Sequence, residues 1–216
     1  PDAESLEQVE VAATEHLKHG TTTLIASLVT APIDVLEKRA ALLAEATRRG
    51  LIQGIHYEGP FLSEARCGAQ DPRYLIPATP EVTKRLVNAA EGMAVTMTIA
   101  PETCLDDQGK ESVRILAEGD ILPSWGHTDC SVDQAKSAIQ TGIDALKATE
   151  GIVRGGRATA THLFNGMRPL HHRDPGPVPA FLSAAKSGEI AVEMINDGIH
   201  LEPALVAEVL NLVGRD

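Results

Sequence analysis

The sequence contains little of what membrane spans and nucleic-acid surfaces require. No apolar stretch approaches the roughly 18–20 residues of a membrane helix, and 19 basic residues stand against 30 acidic ones, for a net charge of −11. Aromatic residues make up only 3% of the chain, which leaves few rings on which bases can stack. Because nucleic acids and anionic membranes attract basic surfaces, we expect neither as a partner.

Cysteine is also scarce, which excludes a disulfide framework. Cys67, Cys104 and Cys130 are odd in number, lie far apart and include no Cys-x-x-Cys pair. Such thiols are typical of reduced, intracellular proteins. No signal-peptide pattern opens the sequence, and we therefore expect a cytoplasmic protein.

What the chain does contain is a regular alternation of β-branched apolar runs and amphipathic helical stretches. Its 216 residues are 43% apolar, enough to bury a core of ordinary size. The predicted strands are 21–30, 51–59, 94–102, 121–128, 158–166 and 189–200. Each is followed by a helical stretch, and such alternation indicates parallel strands with helical crossovers.

Local signals mark several helix ends. Ser5 and Ser131 are suited to cap helices, and Pro80 is suited to open one after Thr79. The helix that follows Ser131 is predicted to stop at Gly142, because glycine often ends a helix.

Two architectures fit about six such units: an open doubly wound sheet and a (β/α)8 barrel. A dinucleotide-binding doubly wound fold carries Gly-x-Gly-x-x-Gly after its first strand, and the sequence has no such motif. Barrel chemistry gathers at the C-terminal ends of the strands, where this sequence places its unusual polar residues. We therefore expect an α/β fold of the (β/α)8 TIM-barrel type. Residues 1–216 would supply about six central units of the catalytic domain, with the first and last strands outside the sequence.

Three polar residues at predicted strand ends form a candidate metal site. Glu58 lies in "GIHYEGPFLS", His127 in "WGHT" and His162 in "ATHLFNGM". Each alone has an ordinary interpretation, as a surface carboxylate or a satisfied histidine. A buried carboxylate, however, needs a positive partner, and one carboxylate with two imidazoles suits a catalytic divalent cation. We expect zinc, with iron or another divalent ion as the alternative.

A basic loop follows the fifth predicted strand. The stretch "THLFNGMRPLHHRDPG" contains Arg168, His171, His172 and Arg173 in an otherwise acidic chain. Guanidinium groups bind phosphate in a planar, bidentate way. A solvated loop explains the same residues, and the residues alone leave both interpretations open.

The motifs "HYEGPFLS", "GHT", "THLFNGM", "HHRDPG" and "INDGIH", in this order, resemble the N-acetylglucosamine-6-phosphate deacetylases of the amidohydrolase superfamily. The resemblance extends over nearly the whole chain. It implies a metal-dependent TIM-barrel hydrolase, usually a homodimer, that converts N-acetylglucosamine 6-phosphate to glucosamine 6-phosphate and acetate. It also implies metal ligation by Glu58, His127 and His162, with metal-activated water as the nucleophile.

The resemblance further implies a set of substrate-binding residues. Asn165, Gly166 and Arg173 match positions that hold the sugar phosphate, and His200 matches the substrate-binding histidine of Asp-Gly-x-His. Gln70 stands where some members have a loop histidine that contacts the acetyl region.

Two features of the family have no match in the sequence: the His-x-His motif of the first strand and the catalytic aspartate of the last. We therefore assign no catalytic residue and expect the carboxylate base to lie beyond Asp216. Asp197 belongs to Asp-Gly-x-His and is a poor substitute. Cys67 lies in the loop after Glu58. We expect this loop to act as a mobile lid that brings Cys67 to the sugar, with an incidental exposed thiol as the alternative.

Two other functions remain open from the sequence. The chain could be another amidohydrolase, dihydroorotase-like or aminoacylase-like, which would share the metal ligands and would not need Arg173. It could also be a non-catalytic chain that binds a metal or a sugar phosphate.

Overall fold

Strands and helices alternate along the chain, as the sequence pattern predicts. The computed structural model describes residues 2–149 and 156–214. The strands are β1 (Ile25–Val29), β2 (Gly54–Glu58), β3 (Ala94–Ile99), β4 (Leu122–Trp125), β5 (Ala158–Ala160) and β6 (Ile190–Val192). The helices are α1 (Leu6–Lys18), α2 (Ile33–Arg48), α3 (Pro80–Ala89), α4 (Asp107–Glu118), α5 (Val132–Ala148), α6 (Val178–Lys186) and α7 (Pro203–Val213).

The order of the strands identifies the architecture. The six strands form one sheet in chain order, and every neighbouring pair is parallel. A doubly wound sheet reverses its strand order at a switch point, whereas a TIM-barrel wall keeps chain order. The described residues therefore form six consecutive β/α units of a barrel wall, in which β1 and β6 are the outer strands.

Side chains alternate between the two faces of the sheet, because successive residues of a strand point to opposite sides. Ile55, Tyr57, Met97 and Trp125 face the helices and are fully buried. The Tyr57 hydroxyl donates to the backbone carbonyl of Leu86 in α3 over 2.9 Å. Full burial of each such side chain stabilises the fold by about 1.5–3 kcal/mol.

The opposite face of the sheet, towards the barrel interior, is unusually polar. An interior hydroxyl chain runs across it through His56, Thr98, Thr161, Ser124, Thr159 and Glu193. Its links measure 2.5–3.0 Å, and the last is a bond of 2.7 Å from the Thr159 hydroxyl to the Glu193 carboxylate. Burial lowers the pKa of His56. These hydrogen bonds supply the partners that buried polar groups need.

The predicted helix ends agree with the structure except in α5. The side chains of Ser5, Thr79 and Ser131 each accept a hydrogen bond from the first turn of a helix. The prediction that α5 stops at Gly142 is wrong, because the helix continues to Ala148. A Cβ at position 142 would lie 2.9 Å from Cζ2 of Trp125. This glycine therefore permits close packing of α5 on β4 and does not mark a helix end.

The strands are shorter than predicted, and they end where the polar residues begin. Residues 161–166 form a turn after β5, in which His162 and Phe164 have φ of +32° and +77°. A positive φ is incompatible with an extended strand. Residues 193–200 likewise lie beyond β6.

Among the described residues, no helix combines the length and apolar character that a membrane span requires.

Candidate active site

Glu58, His127 and His162 converge at one edge of the sheet. Glu58 is the last residue of β2, and the two histidines each lie two residues beyond their strands, β4 and β5. Oε1 of Glu58 lies 3.1 Å from Nε2 of each histidine, and the two Nε2 atoms are 3.1 Å apart. The structure therefore brings together the three side chains that the sequence predicted as metal ligands.

The backbone is strained at both histidines. His127 and His162 have φ of +46° and +32°, a region that residues with a Cβ rarely adopt and that costs of order 1–3 kcal/mol. The surrounding contacts must hold this conformation, and it aims both rings at the same point. Such strain is common at functional sites.

A backbone carbonyl determines the tautomer of His127. Nδ1 of His127 lies 2.8 Å from the carbonyl oxygen of Arg66, and a carbonyl only accepts, so Nδ1 carries the hydrogen. In the neutral ring Nε2 is then a bare lone pair. This nitrogen lies 3.1 Å from Oε1 of Glu58. Both atoms are hydrogen-bond acceptors, and a proton or a cation between them removes their repulsion.

The spacing of the three atoms fits a metal ion. Bonds of about 2.0–2.2 Å from zinc to nitrogen and oxygen, at tetrahedral angles, separate ligand atoms by roughly 3.3–3.5 Å. The observed separations of 3.1 Å are slightly shorter. Nδ1 of His162 is buried and has no hydrogen-bond partner within the described part of the chain. The donor set of one carboxylate and two imidazoles thus matches the set expected for a divalent cation.

Glu58 is held in its ionised form. Burial alone would raise the pKa of this carboxyl. The close contacts of the carboxylate with the imidazoles of His127 and His162 outweigh burial and hold the pKa well below its usual range. The carboxylate is therefore charged at neutral pH, as a metal ligand must be.

The other oxygen of Glu58 is bound by Gln70. Nε2 of Gln70 donates to Oε2 of Glu58 over 2.9 Å, and Oε1 of Gln70 accepts from the backbone N–H of Thr30 over 2.8 Å. Gln70 is only 6% exposed. The structure thus places this residue, expected to bind substrate, directly behind the carboxylate of Glu58.

Ion pairs connect the loops that carry these residues. Asp129 accepts from Nε of Arg66 over 2.7 Å and from Nη2 of Arg168 over 3.1 Å, and Arg168 also pairs with Asp174. The bonds from Arg168 and then Arg66 hold the pKa of Asp129 below its usual range. We call Arg66, Asp129 and Arg168 the loop clamp, because they join the loops after β2, β4 and β5.

The residues expected to hold the substrate are not gathered as tightly as the three candidate ligands. The Asn165 amide donates to the carbonyls of His162 and Leu163. Arg173 is exposed and, unlike Arg168, has no ion-pair partner among residues 2–149 and 156–214.

Gly166 packs against the ring of His127. It has φ of +57°, and a Cβ there would lie 2.9 Å from Nδ1 of His127. Its carbonyl accepts from the backbone N–H of Thr128 over 2.9 Å. Gly166 therefore has a structural reason to be glycine, in addition to the phosphate contact that the resemblance implies.

His200 pairs with Asp197 in an exposed loop. Nδ1 of His200 lies 2.7 Å from Oδ2 of Asp197. Hydrogen bonds from the backbone N–H groups of His200 and Ile199, and then from the His200 side chain, lower the pKa of Asp197 to about 2. A carboxylate with so low a pKa is poorly matched to take up a proton near pH 7.

All three cysteines are free, as predicted. Cys104 and Cys130 are buried, and burial raises the pKa of each thiol to about 12. Cys67 is half-buried in the loop after β2. Its neighbour Arg66 is engaged with Asp129, and the role of this loop as a lid stays a prediction.

A cavity of about 360 Å³ lies beside the three candidate ligands. Its lining includes His56, Glu58, His162 and Glu193. A larger groove of about 460 Å³ lies between α5 and α6. It contains none of the three candidate ligands, and we assign the chemistry to the smaller cavity.

Sequence reasoning missed several residues of this site. His56 stands two positions before Glu58 on the same strand face, and that period-two spacing is a usable signal. Asp129 and the Arg66 carbonyl carry no such signal, because their partners lie far away in the sequence.

Comparisons with known proteins agree with this architecture. No protein-family model matches the chain. The chain is 35% identical over 207 residues to the N-acetylglucosamine-6-phosphate deacetylase of Bacillus subtilis, covering 92% of this chain and 47% of that protein. It is 32% identical over 203 residues to the N-acetylgalactosamine-6-phosphate deacetylase of a Shewanella species, covering 92% and 45%.

Solved structures give the same result. The chain matches the crystal structure of the N-acetyl-D-glucosamine-6-phosphate deacetylase from Mycobacterium smegmatis with a TM-score of 0.83 and 37% identity, covering 96% of this chain and 50% of that one. A mutant of the same enzyme, solved in complex with N-acetyl-D-glucosamine-6-phosphate, matches equally well.

The chain thus spans about half the length of the curated relatives it matches. The resemblance inferred from the motifs is confirmed, and so is the fold, six units of an amidohydrolase-type TIM barrel.

Proposed function

We propose that this chain acts in the metal-dependent hydrolysis of the acetamide of N-acetylglucosamine 6-phosphate, yielding glucosamine 6-phosphate and acetate. The observation that carries the proposal is the triangle of Oε1 of Glu58 and the two Nε2 atoms, each 3.1 Å from the others. The named function of the similar proteins supports the substrate.

In this proposal Glu58, His127 and His162 hold a divalent cation, for which we propose zinc. Two neutral nitrogens and one carboxylate would hold a divalent cation without cancelling its charge. A cation bound there supplies Lewis acidity, because it lowers the pKa of water and polarises a carbonyl. The loop clamp and Gln70 hold the three side chains in place.

The substrate phosphate would bind at the basic loop. Arg173 is the suitable guanidinium, because Arg168 is already engaged by Asp129 and Asp174. Asn165 and Gly166 would add polar contacts next to His162, and His200 would contact the sugar. Binding the phosphate away from the amide orients the acetamide at the cation.

The proton carrier remains outside this set of residues. Asp197 is a poor base because its pKa is too low for it to take up a proton near pH 7. We propose that residues 1–216 form part of a larger TIM-barrel catalytic domain, and that another part of this domain supplies the carboxylate base. We further propose a homodimer in the cytoplasm, as the family resemblance implies.

A second candidate substrate is N-acetylgalactosamine 6-phosphate. It is supported by the Shewanella relative, whose coverage and identity are nearly the same as those of a relative named N-acetylglucosamine-6-phosphate deacetylase. The two sugars differ only in the configuration at one ring carbon.

The deciding experiment measures acetate release from both sugars by the zinc-loaded chain. The same chain, extended at both ends to the length of its relatives, is assayed in parallel. We expect turnover in the extended form, with N-acetylglucosamine 6-phosphate preferred over N-acetylgalactosamine 6-phosphate. No acetate from either sugar in the zinc-loaded extended form would contradict the proposed function.

Replacement of Arg173 tests whether the phosphate is recognised. We expect Arg173→Ala to weaken binding of glucosamine 6-phosphate about tenfold or more, because a charge-assisted hydrogen bond contributes about 1.5–3 kcal/mol. Titration calorimetry with glucosamine 6-phosphate and with glucosamine measures this difference. Arg114→Ala, which removes an equal charge from α4, is the matched control. An equal loss of affinity for both sugars would favour another amidohydrolase.

A further inference from the structure

Gln70 makes two hydrogen bonds that fix the orientation of its amide. One end faces the backbone N–H of Thr30, which only donates, so the atom at that end is the amide oxygen. The other end of the amide is therefore the nitrogen, which lies 2.9 Å from Oε2 of Glu58 and donates to it. The backbone N–H of Thr30 thus excludes the flipped amide.

Gln70 is held by a backbone group, the N–H of Thr30, which has less freedom to move than a side chain. Thr30 directly follows β1, and its hydroxyl donates to the carbonyl of Glu58 over 3.1 Å. Thr30 and Gln70 thus hold both the backbone and the carboxylate of Glu58. With Gln70 only 6% exposed, water competes little for these bonds.

The two oxygens of Glu58 consequently have different surroundings. Oε1 faces both histidine Nε2 atoms at 3.1 Å, whereas Oε2 is bound by the Gln70 amide at 2.9 Å. We propose that Gln70 is a positioning residue: it holds Oε2 away from the cation, so that Glu58 offers a single oxygen. This inference rests on the proposed metal site.

This role differs from the substrate contact that the resemblance implies for Gln70. A side chain buried to this extent, with both ends of its amide engaged, is poorly placed to reach the sugar. It acts on the reaction through the carboxylate of Glu58.

Co²⁺ is a suitable probe, because its visible absorption reports the number of ligands. We expect Gln70→Met to raise the dissociation constant for Co²⁺ about 10- to 100-fold, the usual effect of losing a residue that orients a metal ligand. We also expect weaker visible absorption per bound Co²⁺, because a freed Oε2 joins the coordination and four-coordinate Co²⁺ absorbs most strongly. Equilibrium dialysis and absorption spectroscopy measure the two effects.

Gln53 provides a matched control at the opposite end of β1. Its Oε1 accepts from the backbone N–H of Leu24 over 2.7 Å, just before β1, as Gln70 does just after β1. Gln53→Met therefore removes the same kind of bond without touching Glu58. We expect the affinity and the spectrum of bound Co²⁺ to be unchanged.

Gln70→Leu decides the matter if Gln70→Met does not fold. Leucine is close to glutamine in size and, like methionine, donates nothing to Oε2, so we expect the spectrum to change again. A wild-type spectrum with a dissociation constant within about threefold in the folded Gln70 variants would overturn the inference. Failure of the unaltered chain to bind one Co²⁺ would instead overturn the metal site itself.

Discussion

At the scale of single residues, His127 shows how neighbouring backbone groups orient a candidate metal ligand. Arg66 supplies the carbonyl that accepts from Nδ1, while Gly68 and Gly166 lie close against the ring. A Cβ at Gly166 would come within 2.9 Å of Nδ1. The ring therefore has little freedom to turn, and Nε2 stays directed at Glu58.

Gly166→Ala is expected to disturb the proposed metal site in addition to its effect on the fold. The added methyl group pushes on Nδ1, so we expect Co²⁺ binding to weaken about tenfold or more, as for other residues that orient ligands. Gly188→Ala is the control, because Gly188 also has a positive φ, +78°, but has open space around it. Both variants should lose about 1–2 kcal/mol of stability through backbone strain. Equal Co²⁺ affinities in the two variants, measured by equilibrium dialysis, would contradict this prediction.

The three candidate ligands were predictable from the sequence because each is a rare polar residue at the end of an apolar strand. Their supporting residues were not. Gln70 and Thr30 are 40 positions apart, and the Arg66 carbonyl is a group that every residue possesses. Hydrogen bonds of this kind depend on how loops approach in space, and no local pattern records them.

At the scale of elements, the packing of α5 on β4 depends on a glycine in the middle of the helix. Gly142 is buried within α5, and a Cβ there would lie 2.9 Å from the Trp125 ring. In an exposed helix, alanine in place of glycine stabilises by roughly 1 kcal/mol. Here the clash opposes that gain.

We expect Gly142→Ala to lower the free energy of unfolding by about 1–3 kcal/mol, the usual effect of overpacking a core. Thr141→Ala, at the adjacent position, is expected to change it by no more than about 0.5 kcal/mol. Urea denaturation of the three proteins measures both effects. A stabilised Gly142→Ala variant would show that α5 can move away from Trp125 without loss.

Helix starts were predictable because capping is local: Ser5 and Ser131 each bond within their own first turn. The end of β5 was not predictable. Thr161 and Leu163 are as apolar or β-branched as strand residues, and only the contacts of the loop force His162 to a positive φ. Tertiary contacts therefore override the strand propensity there.

At the scale of the whole molecule, a metal bound by three strands should stabilise the entire sheet. A ligand that binds only the folded state adds about 2.7 kcal/mol at 100 times its dissociation constant. We therefore expect Zn²⁺ to raise the melting temperature of the chain and a chelator to lower it again, as followed by calorimetry.

Glu58→Gln is the informative variant for this prediction. It preserves the size of the side chain and removes the charge, so we expect the response to Zn²⁺ to be lost while the fold persists. An equal shift of the melting temperature in this variant would locate the stabilising metal elsewhere. Glu37→Gln is the control, because Glu37 pairs with Arg85 on the helical face, outside the site. We expect Zn²⁺ to raise the melting temperature of this variant as much as that of the unaltered chain.

The general architecture could be predicted from the sequence because βαβ alternation has few structural solutions. The polar barrel interior was less apparent, although Thr96, Thr98, Thr159 and Thr161 alternate along their strands with period two. Threonine is common in strands on either face, and the interior hydroxyl chain emerges only when the four strands β2 to β5 are placed side by side.

The loop clamp has a consequence for how the site tolerates change. Arg66 and Arg168 share one carboxylate, that of Asp129. The loops after β2, β4 and β5 are therefore held together by a single negative charge. A lengthened or shortened turn in any of these segments would shift histidine and glutamate alike. Insertions and deletions in these three loops are therefore expected to disturb the site more than similar changes in the outer helices.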